Sequence, residues 1–362
     1  MTASAAPARS PDFGEPAPLF VANLDGVQNY NIGVAGGRWM VLLVFGSLGQ
    51  TQCREAHDLV LRRRDLFNDA DACCYGVSVD PTDRDQRGLR NQPSGVRYFW
   101  DFDHAVCRLY GLVRDGGLMP AVFLIDRALR IVAAEPIERT GAVLDDLAAR
   151  LRVERGDAEA PFAPVLTLPR VFEPEFCQTL IACFEADGGA ESGFAAEVDG
   201  VTTTVVNHRF KRRRDVTIAD ERLLAETRAR LELRLLPMVR RALGWQATEI
   251  ERFLLCRYGE DDQGFFMAHR DDATAGTAHR KFAVTINLNA EDYEGGELRF
   301  PEFGPRLYRP PTGGATVFCC SLLHEVKPVT RGVRYCFVPF LYDAEGARIR
   351  EANLGRVASD AG

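Results

Sequence analysis

The stretch FFMAHRDDATAGTAHRKFAVTINLN, residues 265–289, sets His269, Asp271 and Asp272 close together ahead of an alternating apolar run, AVTINLN. Alternation with period two is the mark of a strand with one buried face. An imidazole and a carboxylate one residue apart are either two solvated loop residues or two legs of a metal site whose third leg lies elsewhere. The second reading needs company, and the chain supplies it. His324 closes the apolar run TVFCCSLLH, and Arg334 follows the turn KPVTRG. The other histidines have no such partners: His57 and His104 fall in the N-terminal half, His208 precedes KRRRD (211–215), and His279 has no carboxylate at ligand spacing. KRRRD itself reads as a solvated, charged loop.

Two imidazoles and one carboxylate on one face of an octahedral ion leave the opposite face open. That suits non-haem Fe(II), which must take a cosubstrate and dioxygen together; a closed zinc site calls for four protein ligands, commonly including sulfur. Strand alternation puts Arg334 on one face with Cys336, Val338 and Phe340. A guanidinium on an apolar face is costly unless an anion meets it. That anion is a structural carboxylate or, given the triad, a dicarboxylic cosubstrate gripped by the guanidinium fork.

RYG (257–259), AVTINLN (283–289), YEGGELRFPE (293–302) and HEVKPVTRGVRY (324–335) surround these positions. Together with His269-x-Asp271, His324 and Arg334, they resemble the Fe(II)/2-oxoglutarate dioxygenases, in particular the prolyl 4-hydroxylase-like branch, over about 170–343. The resemblance implies a double-stranded β-helix (jelly roll) in which His269, Asp271 and His324 hold Fe(II). It further implies that Arg334 binds the distal carboxylate of 2-oxoglutarate, with Tyr258 hydrogen-bonding the same group. The implied reaction consumes 2-oxoglutarate and dioxygen, hydroxylates a C–H bond and releases succinate and carbon dioxide, with L-ascorbate as the supporting reductant. Many animal prolyl hydroxylases carry lysine where this chain has Arg334, so the substrate, peptidyl or small-molecule, does not carry over.

The N-terminal half has a different grammar. WMVLLVF (39–45) reads as a strand buried on both faces, followed by a helix from about Arg54, a strand at 73–79, further strands at 121–125 and 131–134, and a helix near 144–151. Alternating strands and helices make an α/β sheet. Cys53 opens the first helix, where a thiol has a lowered pKa. With MPAVFLID (119–126), this segment, about 13–151, resembles the peroxiredoxin/thioredoxin-like superfamily. The peroxidase pattern Pro-x-x-x-Thr-x-x-Cys is not kept, since Gly46 and Gln50 replace its proline and threonine, and Ala56 stands where a second cysteine would be. The expectation is an α/β thioredoxin-like domain at 13–152, a charged linker at 153–165 and an all-β dioxygenase domain with a helical layer at 166–348. Tails at 1–12 and 349–362 flank them, the first read as disordered.

The 362-residue length allows two cores. At 46% hydrophobic and 26% charged the chain is globular, without the run of about 18 apolar residues that a membrane span needs. A formal charge of −7 argues against general nucleic-acid binding. The ten cysteines are scattered, lack any Cys-x-x-Cys and sit mostly in apolar strands, so most read as buried thiols. With a short polar N-terminus lacking an apolar signal core, the expected location is cytoplasmic. Two other functions compete: a thiol peroxidase acting through Cys53 with an auxiliary β domain, and a non-catalytic β-barrel binding module.

Overall fold

A computed structural model describes residues 9–92, 94–154 and 161–358. It divides the chain into two compact units, one of residues up to 161 with 301–304, the other of 162–300 and 305–362. In the first unit, Trp39–Gly46 is buried along its whole length. It pairs in parallel with Ala72–Ser78, which pairs in parallel with Val96–Trp100, and antiparallel with Ala121–Ile125. The uniformly apolar sequence follows from burial on both faces. Val41, Leu43 and Phe45 join the core under the helices Thr51–Arg62 and Thr140–Glu154, while Met40, Leu42 and Val44 join Tyr75, Phe99 and Phe123 in the core on the opposite face. This is the thioredoxin-like α/β arrangement expected.

The second unit is a double-stranded β-helix. Its larger sheet orders Leu166–Leu168, Ala315–Cys319, Phe282–Asn287, Val333–Phe337, Leu254–Gly259, Arg214–Thr217 and Ala190–Glu191. The smaller sheet orders Lys211–Arg212, Phe265–His269, His324–Val326, Leu298–Arg299 and Leu307–Tyr308. The alternation in AVTINLN sorts the two faces of the larger sheet. Val284, Ile286 and Leu288 share a core with Phe176, Leu180, Leu231 and Leu235 of the helical layer. Ala283, Thr285 and Asn287 therefore point to the other face, away from those helices. The second helical segment runs from Glu221–Arg230 through a π turn, Leu231–Leu235, into Leu236–Leu243. Pro237 accounts for the π turn, because it has no N–H for the α ladder and its ring crowds the carbonyl four residues back.

Several expectations need correcting. His324 opens a strand of the smaller sheet rather than closing the run before it, because the chain turns at 320–322 to change sheets. The sheet segment before the first ligand strand is in two pieces, Glu249–Glu251 and Leu254–Gly259, separated at Arg252, whose φ is 65°. Within the segment 349–362, read as a tail, residues 349–356 continue the helix Ala344–Asn353 and form a turn at Leu354–Arg356. Asp343 caps that helix by accepting from Gly346 N (2.9 Å) and is itself held by Trp245 Nε1 (2.8 Å). A helix this polar carries no apolar periodicity to announce it. Residues 1–8 of the N-terminal tail, 155–160 of the linker and 359–362 lie outside the described residues. Within the described part of the first tail, Arg9 is ion-paired with Glu15. No helix among the described residues is long and apolar enough to cross a membrane.

Candidate metal centre and cosubstrate pocket

His269 ends the strand Phe265–His269 and stands directly opposite His324 on the neighbouring strand. The chain then bends, and Asp271 N–H donates to Cys320 O (2.9 Å), which returns the Asp271 carboxylate to the same spot. His269 Nε2 lies 3.5 Å from Asp271 Oδ1, and His324 Nε2 lies 3.3 Å from Oδ2. The three ligand atoms fall within 4.8 Å of one another. Asp272 turns away and accepts from Ser321 Oγ.

The tautomers are fixed by the backbone. His269 Nδ1 sits 2.7 Å from Met267 O and His324 Nδ1 sits 2.9 Å from Leu322 O. A carbonyl can only accept, so each Nδ1 carries the proton and each Nε2 lone pair faces the carboxylate. This is the outer-shell hydrogen bonding that orients metal-ligating imidazoles. Burial, reinforced by the facing His324, brings the His269 pKa down to about 4. Burial pushes the Asp271 carboxyl up, but the two imidazoles more than reverse it and hold it well below the carboxylate range. Phe266 stacks on His269 (centroids 3.6 Å apart), and Phe318 lies edge-on to His324 at 4.6 Å. The donors are two neutral-ring nitrogens and one carboxylate in an apolar shell, with no fourth His, Cys, Asp or Glu in the group among the described residues. That donor set fits an octahedral Fe(II) with open positions.

Arg334 lies on the larger sheet, directly opposite Tyr258, and is 2% exposed. Its Nη2 donates to Thr285 Oγ1 (3.1 Å) and reaches Asn287 Oδ1 at 3.5 Å. Nε and Nη1 have no hydrogen-bond partner, and no carboxylate forms an ion pair with Arg334 among the described residues. The structural-carboxylate explanation for this arginine therefore has no carboxylate to rest on. Tyr258 is buried, its ring 5.2 Å from the Arg334 guanidinium and 5.9 Å from that of Arg213. Thr285 and Asn287 were not anticipated beside Arg334. The signal for both was the polar half of AVTINLN, which strand alternation assigns to one face.

KRRRD is not a solvated loop. It spans two short strands, so alternate side chains are buried: Lys211 and Arg213 inside, Arg212 and Arg214 further out. Lys211 Nζ donates to Ser192 Oγ (2.6 Å) and Gly193 O (2.5 Å), and Arg213 pairs with Asp215 at 2.6 Å. Burial, with Arg213 nearby, pushes the Lys211 ammonium pKa well down.

Cys53 also departs from expectation. Although it stands in the first turn of Thr51–Arg62, its side chain is fully buried, and burial pushes the thiol up to about 11. Desolvation outweighs the helix terminus, and the thiol stays protonated and poorly nucleophilic.

Residues 253–342 match the model of the 2OG-Fe(II) oxygenase superfamily, and residues 13–134 match that of the AhpC/TSA family. Both resemblances read from the sequence are thereby met, one in each half of the chain. A PKHD-type hydroxylase of Synechococcus sp. strain JA-2-3B'a(2-13) is 39% identical over 79 residues, covering 20% of this chain and 35% of that protein. A PKHD-type hydroxylase of Thioalkalivibrio sulfidiphilus is 32% identical over 136 residues, covering 35% of this chain and 58% of its own. The procollagen-lysine,2-oxoglutarate 5-dioxygenase 1 of Mus musculus is 38% identical over 89 residues, 24% of this chain and 11% of that one. The chain thus spans between 11% and 58% of the lengths of these relatives.

Proposed function

We propose that the chain is an Fe(II)- and 2-oxoglutarate-dependent dioxygenase that hydroxylates a C–H bond. The observation carrying this reading is the pairing of a His269–Asp271–His324 donor group with a buried Arg334 that has unpaired donors and no carboxylate. His269 Nε2, His324 Nε2 and the Asp271 carboxylate would hold the ion. Arg334, steadied by Thr285 and Asn287, would fix the distal carboxylate of 2-oxoglutarate, and Tyr258 would wall the same pocket. Bound iron supplies the activation of dioxygen coupled to oxidative decarboxylation of the 2-oxo acid. The residues supply orientation, a counter-charge and exclusion of water, the last through Phe266 and Phe318. L-Ascorbate is the proposed reductant that keeps the metal ferrous.

The substrate class favoured is peptidyl, with a small molecule as the alternative, because one relative is named for procollagen lysine. A cytoplasmic setting is consistent with ten cysteines that are all free thiols. The thiol-peroxidase alternative is disfavoured by the buried, protonated Cys53. The test is to load the full chain with Fe(II), 2-oxoglutarate and ascorbate and screen peptide and metabolite pools for products heavier by one oxygen, with succinate release as readout. Release in the wild type and none in Asp271→Ala supports the proposal; equal release in both contradicts it.

A further inference from the structure

The YEGG turn, residues 293–296, has no role in the reading so far, yet it is built around one side chain. Tyr293 is 3% exposed, and its hydroxyl has no hydrogen-bond partner among the described residues. Its ring is clamped by Arg309, whose guanidinium lies 4.8 Å from the ring centroid and donates to Tyr293 O (2.9 Å) and Gly295 O (3.0 Å). Gly295 and Gly296 both have positive φ, 73° and 66°. A Cβ at Gly296 would lie 3.1 Å from Arg334 Cδ and 3.3 Å from Tyr293 Cε2. The glycine is what lets those two side chains converge. Burial pushes the Tyr293 hydroxyl pKa up, so it keeps its proton.

Three unpaired buried polar atoms, Arg334 Nε, Arg334 Nη1 and Tyr293 Oη, therefore belong to two converging side chains. Guanidinium nitrogens only donate, and a protonated phenol has one proton to give. What the pocket lacks is an acceptor with more than one lone-pair oxygen. We infer that Tyr293 Oη is a second donor to the carboxylate gripped by Arg334, so that the YEGG turn makes the pocket selective for a 2-oxo diacid over a 2-oxo monoacid. The inference rests on the cosubstrate reading proposed above.

The test is anaerobic calorimetry on the full chain loaded with Mn(II), titrated with 2-oxoglutarate and with 2-oxobutyrate, which keeps the 2-oxo acid end and lacks the distal carboxylate. Tyr293→Phe retains the ring on Arg309 and removes only the hydroxyl. It is expected to weaken 2-oxoglutarate about 10- to 100-fold, as loss of a hydrogen bond to a charged group does, and to leave 2-oxobutyrate within about twofold. Unchanged 2-oxoglutarate affinity in Tyr293→Phe, or an equal loss for both ligands, overturns the inference. Arg334→Gln separates the two levels of the argument. If it weakens 2-oxoglutarate while Tyr293→Phe does not, only the role of Tyr293 falls. If the wild type binds no 2-oxoglutarate, the cosubstrate reading falls and takes this inference with it.

Discussion

Replacing Arg334 by glutamine tests whether this arginine waits for a ligand or braces the fold, and the two roles predict opposite signs. A structural arginine is satisfied in the empty protein, so its removal leaves a buried carboxylate unpaired and costs stability, about 3–5 kcal/mol. Arg334 is 2% exposed, donates only from Nη2, to Thr285 (3.1 Å) and Asn287 (3.5 Å), and leaves Nε and Nη1 unpaired. Its charge is thus desolvated without a carboxylate partner among the described residues, and a neutral side chain there relieves that penalty. The melting temperature of ligand-free Arg334→Gln should equal or exceed that of the wild type. Affinity for 2-oxoglutarate should fall instead. Truncating one partner of a buried charge pair costs roughly 2–5 kcal/mol, about 30- to several-thousand-fold at about 1.4 kcal/mol per decade. The grip is distant from the bond being broken, so KM for 2-oxoglutarate should rise steeply while kcat at saturation falls less. Arg334→Lys keeps the charge, loses the fork and should be intermediate. Arg331→Gln is the control, since Arg331 is 71% exposed and pairs with Glu294 on the surface, where ion pairs contribute little. Thermal unfolding of the ligand-free proteins beside 2-oxoglutarate titrations decides the matter. A lowered melting temperature with unchanged KM in Arg334→Gln would refute the assignment.

Three further outcomes follow from the geometry. Asp271→Ala should lose at least about 100-fold in Fe(II) affinity, more than loss of an outer-shell partner costs, and should stop succinate release while circular dichroism shows the fold retained. Cys53→Ser should leave 2-oxoglutarate turnover within a few-fold of wild type, and the native Cys53 thiol, raised to about 11 by burial, should resist iodoacetamide at pH 7; a loss of two orders of magnitude in turnover would contradict this. Glu251 supplies a pH signature: burial pushes its carboxyl up, but hydrogen bonds from His279 and Arg280 bring it down to about 2 from an ordinary 4.5. A depressed folded pKa means stability that is present above about pH 4.5 and lost as pH falls toward 2, in all about 3 kcal/mol. Glu251→Gln should be less stable at pH 7 and show a flatter acid-unfolding curve over that window.

How much of this was legible in the sequence depended on local patterning. Trp39–Phe45 and Ala283–Asn289 announced their strands because each has a continuous or strictly alternating apolar face, and the packing agrees with both patterns. The spacing of His269 and Asp271 suggested shared coordination, and the register opposite His324 supplies the third donor. Other features depended on tertiary context. KRRRD looked solvated because five consecutive charges carry no apolar signal, yet strand alternation buries Lys211 and Arg213 against Ser192, Gly193 and Asp215. Cys53 stood at a helix terminus as a reactive thiol would, and only its neighbours reveal the desolvation that reverses its pKa. Tyr293 was visible only as part of a glycine turn. Its position beside Arg334 depends on a contact across Gly296 that no local period encodes.

The central claim is that the group held by His269, Asp271 and His324 couples dioxygen to 2-oxoglutarate. Turnover of the Fe(II)-loaded full chain under oxygen-18 gas, with the succinate analysed by mass spectrometry, tests it most directly. The account predicts succinate carrying one oxygen-18 atom from the wild type and no succinate above background from Asp271→Ala. Succinate without the heavy isotope, or labelled succinate at wild-type levels from Asp271→Ala, would contradict it.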